Sequence, residues 1–193
     1  NVVSRAKDLG FVPASESCSS AFIDLEMKNV RNADGTQPTT TEMQLLRGTN
    51  FVTVFDGSSY NFVVTSTKRP TQNNLSYNYN NVEIVQGTYA QDSFIFDNQL
   101  ANPKFVLSNE RVDKGRMIVS VTSNGVSETY ALSTGISNIT TESKVYYAQE
   151  NEEGYVEIYF GDGTLGKALS DGDIIDVTYI IVDQLHANGA SQF

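Results

Sequence analysis

Residues 161–167, Gly-Asp-Gly-Thr-Leu-Gly-Lys, have the types and spacing G-x-x-x-x-G-K of a loop that wraps phosphate. In such a loop consecutive backbone N–H groups curl around the anion and a helix N-terminus faces it. The lysine reaches the terminal phosphates, and a following Ser or Thr holds magnesium. Here the following residue is Ala168, which offers a metal no oxygen. Asp171-Gly172-Asp173 would break any helix launched from Lys167, and a strand pattern resumes almost at once. The same letters also read as a strand, an F-G-D-G corner and a second strand. The expectation is therefore a turn shaped by glycine, without nucleotide chemistry.

Other chemistry is sparse. His186 is the single histidine, in a loose Leu-His-Ala-Asn-Gly context with nothing to build a Ser–His–Asp relay. One Cys and one His cannot supply the several ligands of a His/Cys zinc site. Asp162, Asp171, Asp173 and Asp176 are close in sequence but depart from the alternating D-x-D-x-D-G calcium pattern. Turn chemistry explains Asp162-Gly163 and Asp171-Gly172 without an ion. No catalytic residue, cofactor site or metal site is expected.

The chain has 193 residues, with 13 Lys plus Arg against 23 Asp plus Glu, a formal charge of −10. That balance opposes a nucleic-acid-binding surface, which needs clustered cations, and attraction to anionic lipid. No apolar run is long enough to span a membrane as a helix. No small-molecule substrate is expected either. Cys18 is alone and can form no intrachain disulfide.

Elements that would position the F-G-D-G corner are mostly strands. Residues 1–11 read as the last turns of a helix, with Val2, Ala6 and Leu9 on one face and Gly10 as its cap. Thereafter alternation predicts strands at 21–27, 43–46, 51–55, 60–65, 82–85, 94–96, 104–107, 117–121, 126–132, 145–147, 156–160 and 174–182. Asp56-Gly57 and Asn124-Gly125 are hairpin turns. Residues 29–42 and 67–81 read largely as polar loops. The fold class is mainly β: antiparallel sheets in sandwich-like lobes with short hairpins, preceded by the C-terminal stub of a helix. A change in loop character near 108–114 suggests a first β region over 12–107 and a second over 108–193, the latter carrying the F-G-D-G unit. That second part could equally be a lobe inserted in one domain.

Several motifs then fall into order. Residues 2–13 resemble a helix end followed by a G-Y/F-x-P step into a first strand. Arg47-Gly48-Thr49-Asn50-Phe51 resembles a P-R/A-G-T-x-F turn, with Leu46 where a proline is common. Gln86-Gly87-Thr88 resembles an x-G-x step before a crossover. Val156, Ile158, Phe160, Gly161, Asp162, Gly163, Gly166, Gly172, Ile175, Val177 and Tyr179 meet a longer strand–F-G-D-G–strand pattern, and 187–190 looks like its Gly-Asn exit. Together these resemble the baseplate wedge proteins of contractile-tailed bacteriophages, also called baseplate J-like proteins, of which the chain looks like an internal fragment.

The resemblance implies a structural subunit in a virion tail baseplate, assembled in the bacterial host cytoplasm. It implies a homodimer in the full-length protein and contacts with other baseplate wedge proteins. It also implies a ring around the tail hub that rearranges on contraction. Gly48, Thr49, Phe51, Phe160, Gly161, Asp162, Gly163, Gly166, Gly172 and Tyr179 would then hold shape. The helix end at 1–11 would be a contact site. The rival reading is a host-surface or carbohydrate-binding module of a viral tail. Its polar loops at 29–42 and 67–81 would contact glycan, with Tyr77 or Tyr79 exposed in a cleft.

Overall fold

The strand pairing of this chain follows from where its turns permit reversal. The computed structural model describes residues 17–100, 103–135 and 138–182, and for Phe55 the backbone alone. The expected helix end at 1–11, His186 and the 187–190 exit lie outside the described residues. The described residues are mainly β, and the strands belong to two compact units, Cys18–Thr88 and Tyr89–Ile181.

The first unit contains β1 (Ser20–Lys28), β2 (Asn50–Phe55), β3 (Ser58–Val64), β4 (Thr71–Asn73) and β5 (Ser76–Gln86). They form one sheet in the order β1-β5-β3-β2, with β4 also on β5. The β2–β3 hairpin turns at Asp56 and Gly57, both at positive φ (48° and 76°), the two-residue turn that matches strand twist. β5 is interrupted by a bulge opposite Asp24. There Asn81 adopts φ 53° and its N–H donates to Asp24 Oδ1 at 2.7 Å. Val64, Val82 and Ile84 are buried on the inner face beside Tyr60, Phe62, Tyr77 and Tyr79, and Ile23 and Leu25 pack against them. Each such large side chain contributes about 1.5–3 kcal/mol on burial. Met27, on the same alternation as Ile23 and Leu25, is exposed near the end of β1.

Two sequence expectations change here. Residues 76–81, read as polar loop, are the first half of the long strand β5. Tyr77 and Tyr79 are buried, their hydroxyls donating to the carbonyls of Pro38 and Met43. The Asn-rich stretch hid this because its asparagines occupy the outward positions and the bulge, while the tyrosines alternate inward. The exposed tyrosines that a glycan-binding cleft would need are therefore absent at these positions. Residues 43–46 contribute only an isolated bridge, Leu45 to Lys68, instead of a strand.

The second unit contains β6 (Thr88–Ile95), β7 (Phe105–Val106), β8 (Ile118–Ser123), β9 (Val126–Leu132), β10 (Val145–Glu150), β11 (Val156–Phe160) and β12 (Ile174–Ile181). Their order in one sheet is β6-β12-β8-β9-β10-β11-β7, with β9 and β10 parallel. The β8–β9 hairpin turns at Asn124 (φ 51°) and Gly125 (φ 79°), as their residue types require. Val119, Val121, Tyr130, Tyr146, Val156, Ile158, Ile175 and Val177 all enter one core. Phe160 packs edge-on to Tyr130 and Phe105, with ring centroids 5.5 and 6.0 Å apart. The units part between Thr88 and Tyr89, whereas loop character alone pointed near Ser108. The reason is pairing: β6 lies on β12 and β7 on β11, so both belong with the later strands.

Replacing Tyr77 by Phe removes the hydroxyl from Pro38 while keeping the packed ring. The buried carbonyl then lacks that donor, and urea unfolding is expected to show a loss of about 1–2 kcal/mol. An unchanged midpoint would remove this bond from the account of the first core.

Candidate functional site

Strand β11 sends Val156, Ile158 and Phe160 inward, and the chain then reverses within a few residues. Gly161 makes the reversal geometrically possible. A Cβ there would lie 2.4 Å from the Leu165 carbonyl oxygen and 2.5 Å from the Gly166 carbonyl carbon. Both obstacles are backbone, so neither can swing aside. Gly163 (φ 87°) and Gly166 (φ 97°) occupy the left-handed region, and a Cβ on Gly166 would also meet Val145 Cγ2 at 2.9 Å.

The N–H groups that would cradle a phosphate are used inside the protein. Gly163 donates to Gly166 O at 3.1 Å, and Gly166 donates to Thr140 O at 3.1 Å. Thr164 and Leu165 both donate to Asp162 Oδ1, at 2.8 and 3.2 Å. Lys167 donates to Ser143 O at 2.8 Å. These backbone bonds, first that of Thr164 and then that of Leu165, hold the Asp162 carboxyl below the usual carboxylate range. Lys167 Nζ turns to Glu128 Oε2 at 3.4 Å, where Lys144 Nζ also binds Glu128 Oε1 at 2.7 Å. Residues after Lys167 run irregularly into β12 with no helix among them. The loop has the letters of a phosphate site and the hydrogen bonding of a locked corner.

The acidic turn at 171–173 is tied in similarly. Gly172 (φ 81°) donates to Phe96 O and Phe96 donates to Asp173 O, each at 2.9 Å. Asp173 Oδ2 accepts from the Ser170 N–H at 2.8 Å, and Asp171 Oδ1 accepts from that of Asn98 at 3.1 Å. Among the described residues no group of three or more His, Cys, Asp or Glu side chains is placed to hold a metal ion.

Tyr179 of β12 marks a polar junction that sequence reading did not assemble. Its buried hydroxyl donates to Asp92 Oδ2 at 2.8 Å and accepts from Asn109 Nδ2 at 2.7 Å. Ser108 adds its N–H at 2.8 Å and its hydroxyl to the Asp92 carboxylate. Burial pushes the Asp92 pKa up, but the bonds from Ser108 and Tyr179 outweigh it and hold the carboxyl below its ordinary value. Burial first of all raises the Tyr179 hydroxyl. The tyrosine was visible as a core position; its three partners lie at 70 to 87 residues' separation or join through Asp92, and no local signal marks them.

Gly48, Thr49 and Phe51 form a separate corner in the first unit. Gly48 has φ 85° and donates to Val64 O. Thr49 closes the turn twice onto Leu46 O, with its N–H at 3.1 Å and its hydroxyl at 2.8 Å. Phe51 then packs on the first core. In the second unit Phe160, Gly161, Asp162, Gly163 and Gly166 share one corner, with Gly172 and Tyr179 in the adjoining turn and strand.

The two kinds of glycine separate by mutation. Gly125→Ala meets open space and loses about 1–2 kcal/mol to its left-handed φ alone. Gly161→Ala meets backbone and is expected to lose about 3 kcal/mol or more, read by denaturant unfolding of both variants. For Asp92 the sign follows from its depressed folded pKa: its stabilisation is full above the unfolded value near 3.9 and fades as pH falls through the folded one. The stability gap between wild type and Asp92→Asn is thus expected to be constant near neutrality and to narrow below about pH 4. A gap that widens in acid would reverse the assignment.

Comparison with known proteins meets this geometry at the same strands. Residues 90–182 match the family described as bacteriophage baseplate wedge protein gp6, third domain. That span coincides closely with the second unit. A curated relative, baseplate wedge protein gp6 of Enterobacteria phage T4, is 22% identical over 211 aligned positions, covering 100% of this chain and 30% of that protein. The chain thus spans about 30% of the length of the relative it matches. The locked F-G-D-G corner falls inside the matched span, so the second unit is similar to the third domain of bacteriophage baseplate wedge protein gp6.

Proposed function

We propose that the chain is a passive structural part of a phage tail baseplate wedge, built to hold strands in fixed register under load. The observation that carries this is the N–H accounting of the F-G-D-G corner: residues 163–167 donate five consecutive N–H groups to protein acceptors. A site that worked on a phosphate would keep those donors for its ligand. A corner that resists deformation spends them on itself.

On this reading the subunit sits in the virion tail baseplate, after assembly in the host cytoplasm. It pairs with itself in the full-length protein and joins other wedge proteins in the ring around the hub, which rearranges on contraction. It performs no catalysis and takes no nucleic acid, membrane or small-molecule substrate. The similarity to the wedge protein of phage T4 supports the location, and the internally bonded loop supports the absence of nucleotide chemistry.

Electron microscopy of assembled tails carrying the full-length protein is expected to place both β units in the baseplate. Density confined to the tail tube or fibres would overturn the proposal. In parallel, magnesium-ATP at millimolar concentration is expected to leave the melting temperature of the chain unchanged, since no binding free energy is added to the folded state. A saturable rise with protection of residues 161–167 would restore the nucleotide reading.

A further inference from the structure

A groove of about 430 Å³ opens beside the F-G-D-G corner, where, among the described residues, the outer edge of β11 runs out of partner. Leu107 donates to Val156 O, and Phe105 stands opposite Ile158, so Val156 and Ile158 turn their backbone groups toward β7. By the two-residue period Phe160 turns its own N–H and C=O the same way, away from β10. β7 has ended by then. The residue that would stand opposite Phe160 is Pro103, which has no N–H to continue the ladder. The ladder therefore stops one rung short, over a groove lined by Phe96, Phe105, Phe160 and Leu169.

Charge narrows the occupant. Lys104 in the groove lining is neutralised by Glu157 at 2.9 Å. Asp162, also in the lining, takes its hydrogen bonds from backbone N–H groups, which fix the carboxylate without cancelling its charge. The chain as a whole carries −10. We propose that this groove is a docking slot for an extended segment of another tail polypeptide. That segment adds one rung to β11 at Phe160, sinks an aromatic or large aliphatic side chain between the phenylalanines, and sets a neighbouring Lys or Arg near Asp162. The proposal rests on the structural reading above and adds a partner to it.

The test is nuclear magnetic resonance titration of the labelled 193-residue chain with the hexapeptide acetyl-Ser-Val-Phe-Lys-Val-Thr-amide. Saturable shifts at Phe160, Gly161 and Leu169 are expected. The version with Glu in place of Lys binds about twofold to fivefold more weakly, the range of a partly exposed ion pair. Leu169→Arg, with spectral dispersion retained, abolishes the shifts. Three results overturn the slot: no saturable shift at millimolar peptide, equal binding of the Lys and Glu peptides, or groove shifts that depend on protein concentration alone, which would assign the groove to a second copy. None of these touches the baseplate location, which electron microscopy decides separately.

Discussion

The contact between Gly161 and the backbone of Leu165 and Gly166 is the constraint around which the second unit is arranged. It forces β11 to stop at Phe160 and bend back on itself. Because the chain returns so tightly, Phe160 stays against Tyr130 and Phe105, and the start of β12 lies within reach of Phe96. A side chain at Gly161 would push the returning backbone outward and separate those rings. The corner and the core are thus one packing problem, solved by the absence of one Cβ.

Such a bend concentrates backbone polar groups that must be satisfied. The solution recruits three kinds of acceptor: the loop's own carbonyl at Gly166, the Asp162 side chain, and the carbonyls of Thr140 and Ser143 from the β9–β10 connection. The last pair matters most for register. Thr140 and Ser143 precede the parallel strand β10, so the corner fastens a connection that no hairpin closes. Ser143 Oγ in turn accepts from the Thr140 N–H at 2.9 Å, which keeps both carbonyls in place. The Asp92–Tyr179 junction does comparable work elsewhere, tying β6 and the segment after β7 to β12 through side chains.

What the sequence disclosed depended on the range of the interaction. Hairpins at Asp56-Gly57 and Asn124-Gly125 were legible because a two-residue turn is specified by its own residues. Strands β9 and β11 were legible to the residue, since alternation ran unbroken between clear turns. β5 was not, because the asparagines around Tyr77 and Tyr79 masked the inward alternation and Asn81 broke it with a bulge. The division between Thr88 and Tyr89 has a non-local origin: β6 and β7 find their partners far along the chain. For the corner, glycine spacing announced a sharp turn, but nothing local named Thr140 and Ser143 as its acceptors. Asp92 was equally silent, being an ordinary acid in a strand until Tyr179 and Ser108 converge on it.

The ambiguity of G-x-x-x-x-G-K resolves on similar grounds. Glycine serves a phosphate loop and a tight corner for one reason, access to positive φ and close backbone approach. Spacing alone therefore cannot separate them; the direction of the N–H groups can. In a phosphate loop a helix follows and holds the donors toward an empty centre. Here Asp162 fills that centre with its own carboxylate, so the chain supplies the anion its loop would otherwise bind. An acid in second position of such a stretch, followed by no helix, is a physical reason to read the motif as structure.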